Sequence, residues 1–260
     1  MSIITLTTDL GTKDSYLASL KASIFSEIND VNLVDISNEI EPYNILQASI
    51  VLKNCFKDFP KDTIHIVAVD DEISVENDHI AVYANGHYFI GSDNGIFPLV
   101  LDDFKAEKIV SLNISQKTDN LTFASKDVFS IAACHIARGG TMEIIGKPLK
   151  DFSNKKNILF PVIENNIIRG VVTYIDNYGN AITNIKKETF IKTIRDKEFN
   201  ILFGRENDGI INISNKYKDV DLAEKLAIFN SNNFLQISIN QGKASSLLGL
   251  KYFDVIRIEF

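Results

Sequence analysis

The chain has 260 residues, 45% of them hydrophobic, with a formal net charge of −7 and a pI near 5.2. That is enough apolar material for one large domain or two smaller ones, and the acidic balance excludes a nucleic-acid backbone as the main partner. No apolar run reaches transmembrane length, and the N-terminus MSIITLTTDLG lacks the basic start of a signal peptide, so no membrane partner and a cytoplasmic location are expected.

In chain order, residues 3–8 and 31–36 read as buried strands, and Tyr16, Leu17, Leu20, Ile24 and Ile28 recur between them at helical spacing. Pro42 is expected at the start of the next helix, which carries Ile45, Ala48, Val51 and Leu52. IHIVAVD reads as a strand ending at Asp70, and HIAVYANGHYFIGS as a hairpin turning at Asn85-Gly86. A strand over 108–112 and a helix over 126–138, ended by Gly139-Gly140, complete this half. Alternating strands and helices imply an α/β domain over residues 1–150 with a mostly parallel sheet. From about Ile158 short strand-like runs dominate, with only 244–250 helical in pattern. They imply a small all-β, barrel-like domain over 158–260. The polar stretch 147–157, with Pro148 near its start, reads as the linker.

Two phrases carry chemistry. TTDLGTKDSY (7–16) is a strand that ends in Asp9 and a Gly turn, which puts a carboxylate at the edge where α/β folds bind ligands. An Asx turn or helix cap is the plainer role for an Asp beside Gly. YIDNYGNAITNI (174–185) sets Asp176, Tyr178 and Asn180 within one turn. These are an acid, an aromatic and an amide, suited to a cationic, aromatic small molecule. The run Asp70-Asp71-Glu72 reads as a solvated loop or a cation site, and Ser125 as the N-cap of the helix that follows it. Cys55 and Cys134 lie in apolar patterns and read as free buried thiols. His65, His79, His87 and His135 show no metal spacing, so no metal is expected.

Both phrases resemble signatures of the S-adenosylmethionine (SAM) hydroxide adenosyltransferase and fluorinase/chlorinase family, close to TDFG-x-x-D-x-Y and ID-x-FGN-x-x-TN. Further phrases extend the similarity to the C-terminus. The resemblance implies SAM as substrate, no cofactor, and displacement at C5′ by water or hydroxide to give adenosine and methionine. It also implies a homotrimer with sites at subunit interfaces. By the same resemblance Asp9 holds the ribose hydroxyls, and Tyr43 packs on the sugar where Asn38 stands in place of a usual His. Asp14 faces the methionine end or caps a helix, and Phe123 joins the substrate-binding set. Asp176 meets the methionine amino group, Tyr178 and Tyr217 cover adenine, and Asn180 reads its edge. The backbone at Asn240 and Gln241 also reads adenine, with Ser231 near the methionine carboxylate.

Of the family's Asp-Arg-His set for water, only Asp70 is present. Asn77 stands at the Arg position and Ala124 at the His position of the phrase TFASKD (122–127), and the family's Pro-Gly after the Asp is replaced by Asp71-Glu72. Asp70 and Ser125 are the catalytic candidates. Ser125 matches the residue that binds halide in fluoride-using members. The expected activity is slow SAM hydrolysis, with a silent SAM or adenosine binder and a halide adenosyltransferase as alternatives.

Overall fold

The computed structural model describes residues 2–102, 104–116, 121–154, 159–204 and 209–260. The chain divides into two compact units, Met1–Ile158 and Leu159–Phe260. Among the described residues no helix is long and apolar enough to cross a membrane.

Unit 1 runs β1 (Ser2–Thr8), α1 (Tyr16–Glu27), β2 (Val31–Ser37), α2 (Ile45–Lys53), β3 (Ile64–Ala68), β4 (His79–Ala84), β5 (His87–Ser92), α3 (Ile96–Leu101) and β6 (Lys108–Leu112). A π-helical turn, Ser125–Phe129, then leads into α4 (Ser130–Ala137), α5 (Met142–Ile145) and β7 (Gly146–Leu149). The strands form one sheet in the order β2-β1-β3-β5-β4-β6-β7. The β1–β2, β1–β3 and β3–β5 pairings are parallel. The β4–β5, β4–β6 and β6–β7 pairings are antiparallel. The sheet is therefore mixed rather than mostly parallel. The cause is the Asn85-Gly86 hairpin, both residues at positive φ (50° and 77°), which reverses the chain and leaves β4 between β5 and β6.

Strand alternation sends Ile4, Leu6, Ile64 and Ile66 to one face, against Leu17, Leu20 and Ile24 of α1 and Ala132, Ala133 and Cys134 of α4. Val67, Ile80, Val82 and Phe89 face the other way, against Ala48 and Leu52 of α2 and Phe97 and Val100 of α3. Two buried faces explain the near-continuous apolar runs of these strands.

Local boundaries differ from expectation where side-chain chemistry decides them. Asn44, not Pro42, begins α2: its side chain accepts from the Gln47 N–H at 3.0 Å. Lys147 and Pro148 belong to β7 and pair with β6. Beyond them Ser153 N–H donates to Asp93 Oδ2 at 2.7 Å, and Asn154 Nδ2 donates to the Glu76 and Asp93 carbonyls at 2.6 Å. The stretch read as linker is thus fastened to unit 1 as far as Asn154, and its last residues, with Ile158, lie outside the described ones.

Unit 2 comprises β8 (Val162–Glu164), β9 (Ile167–Ile175), β10 (Ala181–Lys186), α6 (Lys187–Ile194), β11 (Asn200–Phe203), β12 (Ile213–Ser214), β13 (Lys225–Phe229), β14 (Phe234–Ile239), α7 (Ala244–Leu247) and β15 (Val255–Glu259). Its eight-stranded sheet runs β11-β15-β9-β10-β14-β13-β12, with β8 on β9. The path is open among the described residues, ending at β11 and β12, so the described strands form a sheet-rich unit and not a closed barrel. Nor is it all-β. Helix α6 buries Phe190 and Ile194, one turn apart, against a core that includes Ile185, Ile201 and Ile237.

Candidate active site

In unit 1 the chain leaves β1 for β2 on one side and returns through α2 to β3 on the other. The carboxyl end of β1 is therefore the point where strand order reverses, the usual place for a ligand crevice. Asp9 is the first residue past that end, and its N–H donates to the Ala68 carbonyl of β3 at 3.2 Å. Its Oδ2 accepts the Tyr43 N–H at 2.9 Å. Burial raises the Asp9 pKa, the Tyr43 N–H opposes that rise, and the Asp70 charge adds to it. Tyr43 sits at φ 66° and is 74% exposed, so it is no core residue at a helix start. It holds a left-handed conformation that costs a bulky side chain energy. Asn38 is buried and accepts the Thr8 hydroxyl at Oδ1, 2.9 Å away, while its carbonyl takes the Gly11 N–H.

Two residues past β3 stands Asp70, at φ 52°. Asn94, beyond the end of parallel β5, donates its Nδ2 to both the Val69 and Asp70 carbonyls at 3.0 Å and fixes this corner. The corner turns Asp71 inward. Asp71 Oδ2 accepts the Ser125 N–H at 3.2 Å, and its carbonyl accepts from His79 Nε2 at 2.9 Å. Its pKa is raised to about 6, first by burial and then by the Asp9 charge, against the stabilising Ser125 N–H. The Ser125 hydroxyl also favours the charged carboxylate, without meeting the geometry of a hydrogen bond. Three parallel strand ends thus bring Asp9, Asp70, Asp71 and Asn94 to one edge.

Ser125 is not an N-cap. The helical bonds already start at Phe123, whose carbonyl accepts the Lys126 and Asp127 N–H groups at 3.1 Å, so Ser125 lies inside the first turn. It is 0% exposed, and its hydroxyl makes no hydrogen bond among the described residues. The Phe123 ring meets Tyr16 edge-on at 5.6 Å. Ala124 is fully buried in the core, and Asn77 accepts from Asn154 at 3.3 Å. Asp14 is exposed and precedes Ser15, the N-cap of α1.

Unit 2 holds a cavity of about 660 Å³ whose lining includes Tyr178, Asn180, Tyr217, Asn240, Gln241 and Lys243. Its rim is built on Asp176. Asp176 Oδ1 accepts the N–H groups of Tyr178 at 3.0 Å and Asn180 at 2.9 Å, and Oδ2 accepts Asn180 Nδ2 at 2.8 Å. Gly179 closes this turn at φ 79°, where a Cβ would stand 2.7 Å from that of Lys243. Tyr178 is 76% exposed, a ring with no protein partner over most of its surface. Tyr217 Oη accepts from Gln236 Nε2 at 2.8 Å, which fixes the second ring. Asn240 spends its Nδ2 on the Val220 carbonyl at 2.9 Å and its own N–H on the Glu224 carbonyl at 3.0 Å. Gln241, at φ 56°, turns the chain along the wall. Ser231 is exposed in the hairpin between β13 and β14 and is not part of this lining.

The sequence reading took Asp71 only as part of a solvated loop or cation site, and it missed Asn94 and Lys243. Asn94 had a signal, because Ser-Asp-Asn-Gly after β5 repeats the acid-plus-Gly strand end seen at Asp9. Among the described residues no group of three or more His, Cys, Asp or Glu is placed to hold a metal ion. Neither Cys55 nor Cys134 is in a disulfide; Cys134 is buried, with its Sγ 3.8 Å from the Ile24 carbonyl, and Cys55 is partly buried.

Carboxylates at parallel strand ends, and an aromatic cavity edged with amides, are the equipment of a two-domain protein that handles small molecules. The particular family follows from comparison with known proteins. Residues 4–146 match the SAM hydroxide adenosyltransferase N-terminal domain and residues 170–257 its C-terminal domain. The chain belongs to this family. It is 30% identical to an (R)-S-adenosyl-L-methionine hydrolase of Methanocaldococcus jannaschii, over 99% of this chain and 96% of that one. It is 25% identical to a fluorinase of Actinopolyspora mzabensis, over 72% of each. The solved structure of a conserved protein from Thermotoga maritima matches with a TM-score of 0.91 at 30% identity, covering 99% of this chain and 100% of that one.

Proposed function

We propose that the protein hydrolyses SAM to adenosine and methionine by displacement at C5′. The observation that carries this reading is family membership across both units, full-length in the similarity to the Methanocaldococcus SAM hydrolase. The cavity in unit 2 supports it, since two tyrosine rings and an asparagine amide suit an adenine base. The acids of unit 1 suit a vicinal diol and a sulfonium cation, through Asp9 and its neighbours. The leaving sulfur departs as a neutral thioether and needs no acid. The protein therefore has to hold C5′ in line, exclude bulk water and orient one nucleophile. Asp70, the family's retained acid, orients that water. SAM is the substrate and no cofactor takes part.

Turnover is slow on this reading, because Asn77 and Ala124 stand where the Arg and His of the water-orienting set are expected. Binding residues in both halves suit a homotrimer with shared sites, which light scattering tests. The same two substitutions favour a second reading, a SAM binder without turnover. Chromatography of products after incubation with SAM separates the two: adenosine and methionine support hydrolysis, and unchanged SAM refutes it. Asp9→Ala should weaken SAM binding by about 2–4 kcal/mol, as two charge-assisted hydrogen bonds are lost.

A further inference from the structure

Ser125 presents two donors, its N–H and its hydroxyl, at the start of a continuous helical run from Ser125 to Ala137. Donors at the positive end of a helix form a seat for an anion or for the lone pairs of water. The hydroxyl is fully buried and makes no hydrogen bond among the described residues, although it favours the charged Asp71 carboxylate, so only the N–H half of the seat is bonded. The other half holds an anion already, because the N–H is given to Asp71 Oδ2 at 3.2 Å.

That carboxylate is held in place from three sides. His79 Nε2 donates to the Asp71 carbonyl, Asn94 grips the two carbonyls before it, and Ser125 takes the side chain. Asp9 is near enough to repel it. A halide entering here meets negative charge on protein carboxylates and finds one of the two donors taken. A water molecule that reached the pair would meet a match, since the Ser125 hydroxyl can donate to it and Asp71 can accept from it. Asp71 stands where the family phrase given above has Pro.

We propose that Asp71 fills the anion seat at Ser125, bars halide from it, and accepts the proton of the water that attacks C5′. The second half rests on the hydrolytic reading above. In that step the water oxygen bonds to C5′, and the C5′–S bond breaks with its electron pair going to sulfur. One water proton passes to Asp71 and then to solvent. The products are adenosine, neutral-thioether methionine and a proton. The raised proton affinity of Asp71, about 6, suits a base working near neutral pH.

The test uses the full chain, wild type against Asp71→Asn, Asp71→Ala and Asp70→Asn. Each is incubated with SAM in sodium gluconate and in sodium chloride at matched ionic strength, with products separated by chromatography. Melting temperatures are read in the same salts with adenosine present. Asp71→Asn, which keeps an acceptor for the Ser125 N–H, should form adenosine about 100-fold more slowly or worse. Asp70→Asn should lose less. Chloride should leave the wild type unaffected and raise the melting temperature of Asp71→Ala, whose vacated donors take the ion. A wild type that responds to chloride, or an Asp71→Ala that does not, overturns the exclusion. Asp71→Asn turning over at the wild-type rate overturns the proton transfer. No adenosine from the wild type ends the hydrolytic reading and the proton transfer with it, while the melting series still decides the exclusion.

Discussion

Asp176→Asn should reverse the hydrogen-bonding face that the unit 2 cavity offers to a purine. A carboxylate only accepts, so the end of the Asn180 amide lying 2.8 Å from Asp176 Oδ2 must be its NH₂ group, as the structure has it. That leaves Oδ1 as the end turned to the cavity, an acceptor suited to the exocyclic amine of adenine. In the variant, the two backbone N–H groups now held at 3.0 and 2.9 Å keep an acceptor if the oxygen of the introduced amide takes the Oδ1 place, so the turn persists. The NH₂ of that amide then confronts the Asn180 NH₂. Rotation of Asn180 by half a turn relieves the clash and presents NH₂ to the cavity. One donor–acceptor match becomes a mismatch, worth about 1–3 kcal/mol, or roughly 5- to 160-fold in adenosine affinity. Inosine, with an acceptor at the same position, should gain over adenosine by a similar factor. Titration calorimetry of both nucleosides against both proteins measures it. An equal loss for the two nucleosides in a variant that still melts cooperatively would refute the reasoning, because it would mean that Asn180 does not read this edge.

Three further outcomes follow from burial. Asp71 has a folded pKa raised from an ordinary 3.8 to about 6, so the folded state holds its proton longer than the unfolded chain. Stability is therefore lost as pH rises from about 4 to 6, by on the order of 2–3 kcal/mol, and Asp71→Asn should remove that slope in urea melts across this range. His65 has the opposite sign: burial, then the neighbouring His87, lowers its pKa from 6.5 to about 3, so stability is lost as pH falls below 6.5. His65→Gln should flatten the acid limb of the same curve, and an unchanged limb would exclude His65 as its cause. Ala124→His, which restores the family residue at that position, should destabilise the protein by about 1–3 kcal/mol rather than rescue turnover, since Ala124 is 0% exposed in a packed core. Differential scanning calorimetry decides it, and an unshifted melting temperature would show that room exists for the ring.

The strands of unit 1 were legible because burial on both faces writes long apolar runs, and the acid after such a run marks the ligand edge. Asp9 and Asp70 stood out for that reason. The antiparallel half of the sheet was less so. Asn85-Gly86 announced a hairpin, but nothing local states that β4 inserts between β5 and β6. In unit 2, α6 hid among strand-like runs, as only Phe190 and Ile194 are buried in its two turns. Eight residues make only two turns, too short a span for the helical period to stand out among the strand-like runs around it. Asp176, Tyr178 and Asn180 were legible as a set because one turn carries all three, and local hydrogen bonds hold them.

Asp71 shows where such reading stops. In the sequence it is the middle of Asp-Asp-Glu, three acids of equal standing in a polar loop. Its neighbour Glu72 is exposed, as a solvated loop predicts. What singles out Asp71 is long-range: the left-handed turn at Asp70, the Asn94 side chain 24 residues beyond it, and the N–H of Ser125, 54 residues from Asp71. None of these leaves a periodic trace. The departure from Asp-Pro-Gly looked like a loss of turn-forming residues. In space it puts a carboxylate on the backbone N–H of the buried Ser125. A chain that lacks the Arg and the His at the expected positions thereby keeps a carboxylate against Ser125, and on the proposal above that charge favours a neutral nucleophile over an anionic one.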